Sequence, residues 1–115
     1  MLPYHLKIID NNDEIHYHYY IMTVFYKSAF RKFVKKQARA FQLVIEDETE
    51  KVSRDPETGE AKKGDLAGFR VHKFVFRNQK YLMAYKTLGN NIIFYMIDTH
   101  ENFYRELKRY IKEAE

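Results

Sequence analysis

Cysteine is absent from this chain of 115 residues, which excludes disulfides, thiolate zinc sites and a thiol nucleophile. The longest apolar run, Ile92 to Ile97, is six residues, against the ~20 needed to cross a bilayer. Nothing resembles a signal peptide. Together these absences lead to the expectation of a cytoplasmic protein without membrane contact. Also missing are a phosphate-cradling glycine loop, a nucleophile elbow and a dinucleotide fingerprint, and no cofactor is expected. There is no internal repeat and no low-complexity tract.

What is present is apolar and aromatic mass. The hydrophobic share is 45%, with nine Phe and ten Tyr, enough for one core and contrary to disorder. One domain is expected at this length. The net charge of +4 is unevenly placed: residues 1–21 hold one Lys and three acids, whereas residues 22–115 hold nineteen Lys/Arg against thirteen Asp/Glu. A basic body of this kind reads as nucleic-acid contact, as a surface awaiting an acidic partner, or as a solvated basic exterior.

The chain divides by pattern. Residues 1–21 form a separate unit, an extension read as a strand or hairpin: Tyr4–Ile9 extended, Asp10-Asn11-Asn12-Asp13 a turn, then a run from Glu14 to Tyr26 rich in β-formers. Residues 22–115 form the main domain. From Lys27 to Ser53 the period is helical, with Phe30, Phe33, Val34, Phe41, Val44 and Ile45 on one side. Ser28 is its expected N-cap, and a break near Lys36-Gln37 should fold the run into a helical hairpin. Arg54 to Gly64 reads as a polar loop. Three strands follow, about Phe69–Phe76, Tyr81–Thr87 and Asn91–Asp98, joined by turns short enough for an antiparallel meander. A helix opening near Thr99 closes the chain. The expected fold is α+β, a small antiparallel sheet with an N-terminal helical hairpin and a C-terminal helix.

His100 and Tyr104, four residues apart, share one face of that helix's first turn. Unpaired backbone N–H groups there favour an anion. Cleaving RNA without a metal requires one group to take the 2′-OH proton, another to protonate the leaving 5′-oxygen, and cations to hold the phosphate charge. An imidazole suits either proton role, and a phenol can donate or position. The candidate catalytic residues are therefore His100, Tyr104 and Arg77, with Lys62, Lys63, Arg70 and Lys73 as the candidate phosphate-binding cations. Residue types alone favour the other reading, in which His100 caps the helix in solvent and Tyr104 is a half-buried edge of the core.

Alternation places Arg70, His72, Phe74 and Phe76 on one face of their strand and Val71, Lys73 and Val75 on the other. For His72 a satisfied sheet histidine competes with an RNA ligand. His16 and His18 lack an evident third metal ligand, so no metal site is expected. Glu46, Asp47, Glu48 and Glu50 read as solvated charges.

The element order, together with Lys63-Gly64-Asp65-Leu66-Ala67-Gly68-Phe69-Arg70-Val71-His72-Lys73-Phe74, Tyr81-Leu82-Met83-Ala84-Tyr85 and His100-Glu101-Asn102-Phe103-Tyr104-Arg105-Glu106-Leu107-Lys108, resembles the toxins of the RelE/ParE superfamily over about residues 22–113. The resemblance implies a toxin of a type II toxin–antitoxin pair, neutralised by a cognate acidic antitoxin. In the RelE-like branch it implies a metal-independent endoribonuclease that cuts mRNA on the ribosome, leaving 2′,3′-cyclic phosphate and 5′-hydroxyl ends. Tyr104 matches that branch's C-terminal tyrosine, Arg77 falls near its strand-end arginine, and Lys62 and Lys63 near its loop lysines. His100 matches the histidine some relatives use in place of a second arginine. The ParE-like branch, which poisons DNA gyrase, and a non-catalytic RNA- or protein-binding member are the alternatives.

Overall fold

The structure, a computed structural model, describes residues 22–114. The expected hairpin and the histidine pair His16/His18 lie outside these residues. Strand β1 (Thr23–Tyr26) leads into helices α1 (Ser28–Lys35) and α2 (Arg39–Arg54). A short strand β2 (Glu60–Ala61), the three long strands β3 (Arg70–Phe76), β4 (Gln79–Leu88) and β5 (Asn91–Thr99), and helix α3 (His100–Ala114) complete it.

The helical run breaks where the sequence suggests, at residues 36–38, so that each helix presents one apolar stripe to the same side. Ser28 is not the cap, however. Lys27 occupies that position without a side-chain hydrogen bond, and Ser28 is the first helical residue. The five strands run in the order β1-β5-β4-β3-β2. The meander is antiparallel as expected, but β1 pairs parallel with β5, Phe25 beside Ile93, so the sheet is mixed. Strand β2, two residues pairing with Val71 and Arg70, lies inside what reads as a polar loop. The turn between β3 and β4 is tight because Arg77 and Asn78 both take left-handed backbone angles (φ 50° and 67°), the geometry that matches strand twist in a two-residue hairpin.

Both sheet faces are covered, each by a different helical element. On one, Phe74, Met83, Tyr85, Ile92, Phe94 and Ile97 pack against Phe30, Phe41, Ile45 and Val52 of the hairpin. On the other, Leu66, Phe69, Val71, Leu82, Ala84 and Met96 meet Phe103 and Leu107 of α3. The ladder between β4 and β5 slips at Ala84/Tyr85, where Ala84 pairs with Met96 but Tyr85 with Phe94. Tyr95 is thus an extra residue, a β-bulge, and Tyr95 and Met96 both turn toward α3.

His72 joins the sheet to the hairpin. Its Nε2 lies 2.7 Å from Glu48 Oε1, both side chains nearly buried, and Lys51 bonds the other carboxylate oxygen at 2.9 Å. The reading of His72 as a satisfied sheet histidine holds, and Glu48 is not merely solvated. Burial alone would push the Glu48 carboxyl up, but the hydrogen bonds from His72 and Lys51 outweigh it and hold the group below its usual 4.5. A carboxylate depressed in the folded state stabilises above its unfolded pKa and loses that contribution as pH falls through the folded one. His72→Ala should therefore make the stability loss below about pH 4.5 shallower than in the parent. Chemical denaturation at stepped pH measures this slope, and an unchanged slope would refute the assignment.

Candidate functional site

Strand β5 ends at Thr99, which pairs with Tyr81, and α3 begins at the next residue. The helix folds back across the sheet because Phe103 and Leu107, both fully buried, anchor it to Leu82, Ala84 and Met96. This leaves His100 exposed and Tyr104 half-buried on the side toward β3 and β2. The two line one open cavity of about 450 Å³ with Thr58, Glu60, Val71, His72, Lys73 and Leu82. Its floor is apolar (Val71, Leu82), while its rim carries an imidazole, a phenol, an ammonium and a carboxylate.

The opposite wall depends on the segment after α2. The phenol of Tyr85, fully buried, donates to the Pro56 carbonyl at 2.6 Å and accepts from the Gly59 N–H at 2.9 Å. Burial pushes this phenol up, so it stays protonated and keeps donating. Gly59 is required by space: a Cβ there would meet Tyr85 Oη at 2.7 Å and the Val71 carbonyl carbon at 3.0 Å. Arg70 donates to the carbonyls of Gly59 at 2.6 Å and Glu57 at 3.3 Å. These bonds fix the start of β2, and alternation then sends Glu60 and Lys62 to the face that holds Tyr104.

Lys62 Nζ lies 2.6 Å from Glu60 Oε1 and 5.1 Å from the centre of the Tyr104 ring. The hydrogen bond to Glu60, with a further contribution from Tyr104, raises Lys62 above its usual value. The same bond lowers Glu60, and the charge of Lys73 adds to that effect. At neutral pH the rim therefore holds the Lys62 ammonium beside an ionised Glu60, with Lys73 on the same cavity. Such an arrangement can hold a phosphodiester between cations and move a proton through the imidazole.

The candidates sort by position. His100, Tyr104 and Lys73 line the cavity, and Lys62 reaches it over the Tyr104 ring. Lys63 is exposed on the loop. Arg70 faces away from Lys73 and is bound to the loop carbonyls. Arg77 sits in the β3–β4 turn, its guanidinium 4.9 Å from the centre of the Phe76 ring. Sequence reasoning missed Glu60 and Thr58. The missing signal was β2, too short for a pattern, although Glu60 and Lys62 two apart would have indicated a shared face had a strand been assumed. Among the described residues no group of three or more His, Cys, Asp or Glu could hold a metal ion. No helix among them is long and apolar enough to cross a membrane.

The fold is similar to the toxin–antitoxin complex RelBE2 from Mycobacterium tuberculosis (TM-score 0.57, 20% identity, covering 69% of this chain and 98% of that one). It is also similar to the intact E. coli RelBE toxin–antitoxin complex (TM-score 0.54, 12% identity, 66% and 93% covered) and to the isolated E. coli RelE toxin (TM-score 0.54, 13% identity, 76% and 97% covered). No curated protein sequence gives a significant match. Residues 24–108 match the family described as the ParE-like toxin of type II bacterial toxin–antitoxin systems. The chain belongs to that family, and its α+β fold is that of the RelE toxins.

Proposed function

We propose that this toxin is a metal-independent endoribonuclease that cleaves mRNA on the ribosome and is neutralised by an acidic antitoxin. The observation that carries the reading is the gathering of His100, Tyr104, Lys73 and Lys62 around one cavity. In this scheme His100 takes the proton of the 2′-hydroxyl as that oxygen bonds to phosphorus. The bond from phosphorus to the 5′-oxygen breaks, and the Tyr104 phenol protonates the departing oxygen. The resulting phenolate, stabilised by the adjacent Lys62 ammonium, is reprotonated by the imidazolium. Lys62 and Lys73 hold the charge that grows on the non-bridging oxygens, and Glu60 keeps Lys62 in place until phosphate arrives. Atoms balance without a metal or a redox partner, and the products are a 2′,3′-cyclic phosphate and a 5′-hydroxyl.

The name of the matched family favours a second reading, inhibition of DNA gyrase by the same chain. Product analysis separates the two. Purified toxin incubated with translating ribosomes and end-labelled mRNA should give fragments whose 5′ ends accept phosphate directly from a kinase. Their 3′ ends should be cyclic. Intact RNA, with DNA breaks accumulating in cells that express the toxin, would overturn the nuclease in favour of gyrase. Intact RNA without DNA breaks would leave a binding module.

A further inference from the structure

Helix α3 covers only part of its sheet face. Beyond it, register puts Phe25 beside Ile93, Ile93 beside Lys86, and Leu88 two residues further along the same face of β4. Alternation from Ile93 puts Tyr95 on this face too. Phe25 is 48% exposed and Leu88 59%. Lys86 Nζ lies 4.4 Å from the centre of the Phe69 ring and 5.6 Å from that of Tyr95, and Lys27 Nζ lies 5.5 Å from Tyr95. Neither lysine pairs with a carboxylate among the described residues. The corner shares no residue with the cavity that holds His100 and Tyr104.

Two ammonium groups share one tyrosine ring beside exposed hydrocarbon. The lysines are held against the aromatic rings by cation–π attraction, so an incoming carboxylate meets charges already in place. The apolar residues flanking them are the kind of exposed cluster that marks a protein contact. RNA fits less well. Tyr95 is edge-on to both Phe69 and Tyr110, each at 77°, and the lysines lie over its ring, so a base would have to displace them to stack. Leu88 offers a base no hydrogen bond.

We infer that this corner, formed by Phe25, Leu88, Tyr95, Lys27 and Lys86, is a docking site for an acidic segment of the antitoxin. Apolar side chains of that segment cover Phe25 and Leu88, while its carboxylates meet Lys27 and Lys86. The inference rests on the toxin–antitoxin reading and names a surface that shares no lining residue with the cavity. It implies that neutralisation and catalysis are separable by mutation.

The test uses the full chain and the antitoxin co-purified with it from their shared complex. Lys27→Glu combined with Lys86→Glu should weaken the complex at least 100-fold, and Lys27→Gln with Lys86→Gln should weaken it less. Toxicity should be unchanged while rescue by the antitoxin is lost. Thermal melting of the free chain establishes folding. Wild-type affinity in the Glu variant would overturn the inference alone; failure of the parent chain to form any complex would overturn the toxin–antitoxin reading with it. Lost RNA retention with antitoxin binding intact would reassign the corner to nucleic acid. Changed self-association alone would reassign it to a second copy, and lost stability of the free chain to an internal segment. Each of these three outcomes overturns the inference.

Discussion

In the proposed scheme His100→Ala should lower RNA cleavage by about 10²- to 10⁴-fold, the range that a positioned proton-transfer group contributes. The side chain is exposed at the first residue of α3, so its removal leaves no cavity and strands no buried group. The helix remains anchored by Phe103 and Leu107. An unchanged melting temperature with lost cleavage therefore locates the defect in chemistry. Tyr104→Phe is the companion variant. It keeps the ring that contacts Phe103 at 5.0 Å and over which Lys62 lies, and removes only the hydroxyl. In the proposed scheme its loss falls on kcat rather than KM, because the proton moves only as the 5′-oxygen departs. Single-turnover cleavage on ribosomes measures both variants. A His100→Ala protein that cuts at the parental rate removes the imidazole from the mechanism.

The second large effect is structural and reaches the site from behind. Tyr85→Phe leaves the Pro56 carbonyl and the Gly59 N–H without the phenol that joins them at 2.6 Å and 2.9 Å. Each such loss costs roughly 1–3 kcal/mol when the group stays buried, so the variant should lose about 2–4 kcal/mol. In a domain of this size that lowers Tm by roughly 10 °C or more. The effect is not confined to stability. The segment held by Tyr85 delivers Glu60 and Lys62 to the cavity rim, so cleavage should fall even at temperatures where the variant is fully folded. Calorimetry beside cleavage at low temperature checks both. A variant melting within 2 °C of the parent would mean that water satisfies these backbone groups.

Much of this arrangement was legible before any coordinates. The helical hairpin follows from the spacing of Phe30, Phe33, Phe41 and Ile45, the meander from its apolar runs and short turns, and the His100–Tyr104 pair from helical periodicity. Such signals are local: each depends on residues within one or two turns of each other. What escaped depends on partners distant in sequence. The parallel pairing of β1 with β5 joins segments almost seventy residues apart in register, Phe25 to Ile93, and nothing in either strand names its neighbour. Arg70 looked like a phosphate ligand because a strand arginine beside basic residues has no visible partner in sequence. Its partners are the carbonyls of Glu57 and Gly59, which carry no residue-type signature. Glu60 escaped for the same reason, since its face is set by two backbone pairings.

The extra residue at Tyr95 has a consequence for how this chain can vary. Alternation in β5 changes phase there: Phe94 and Ile97 serve one core, Tyr95 and Met96 the other. Deleting Tyr95 would restore a regular ladder, with Ala84 still opposite Met96 and Tyr85 opposite Phe94, and every later side chain would keep its face. A homologue one residue shorter there therefore keeps its pattern of oily and polar positions up to the final helix, and what it gives up is the ring that Lys27 and Lys86 share.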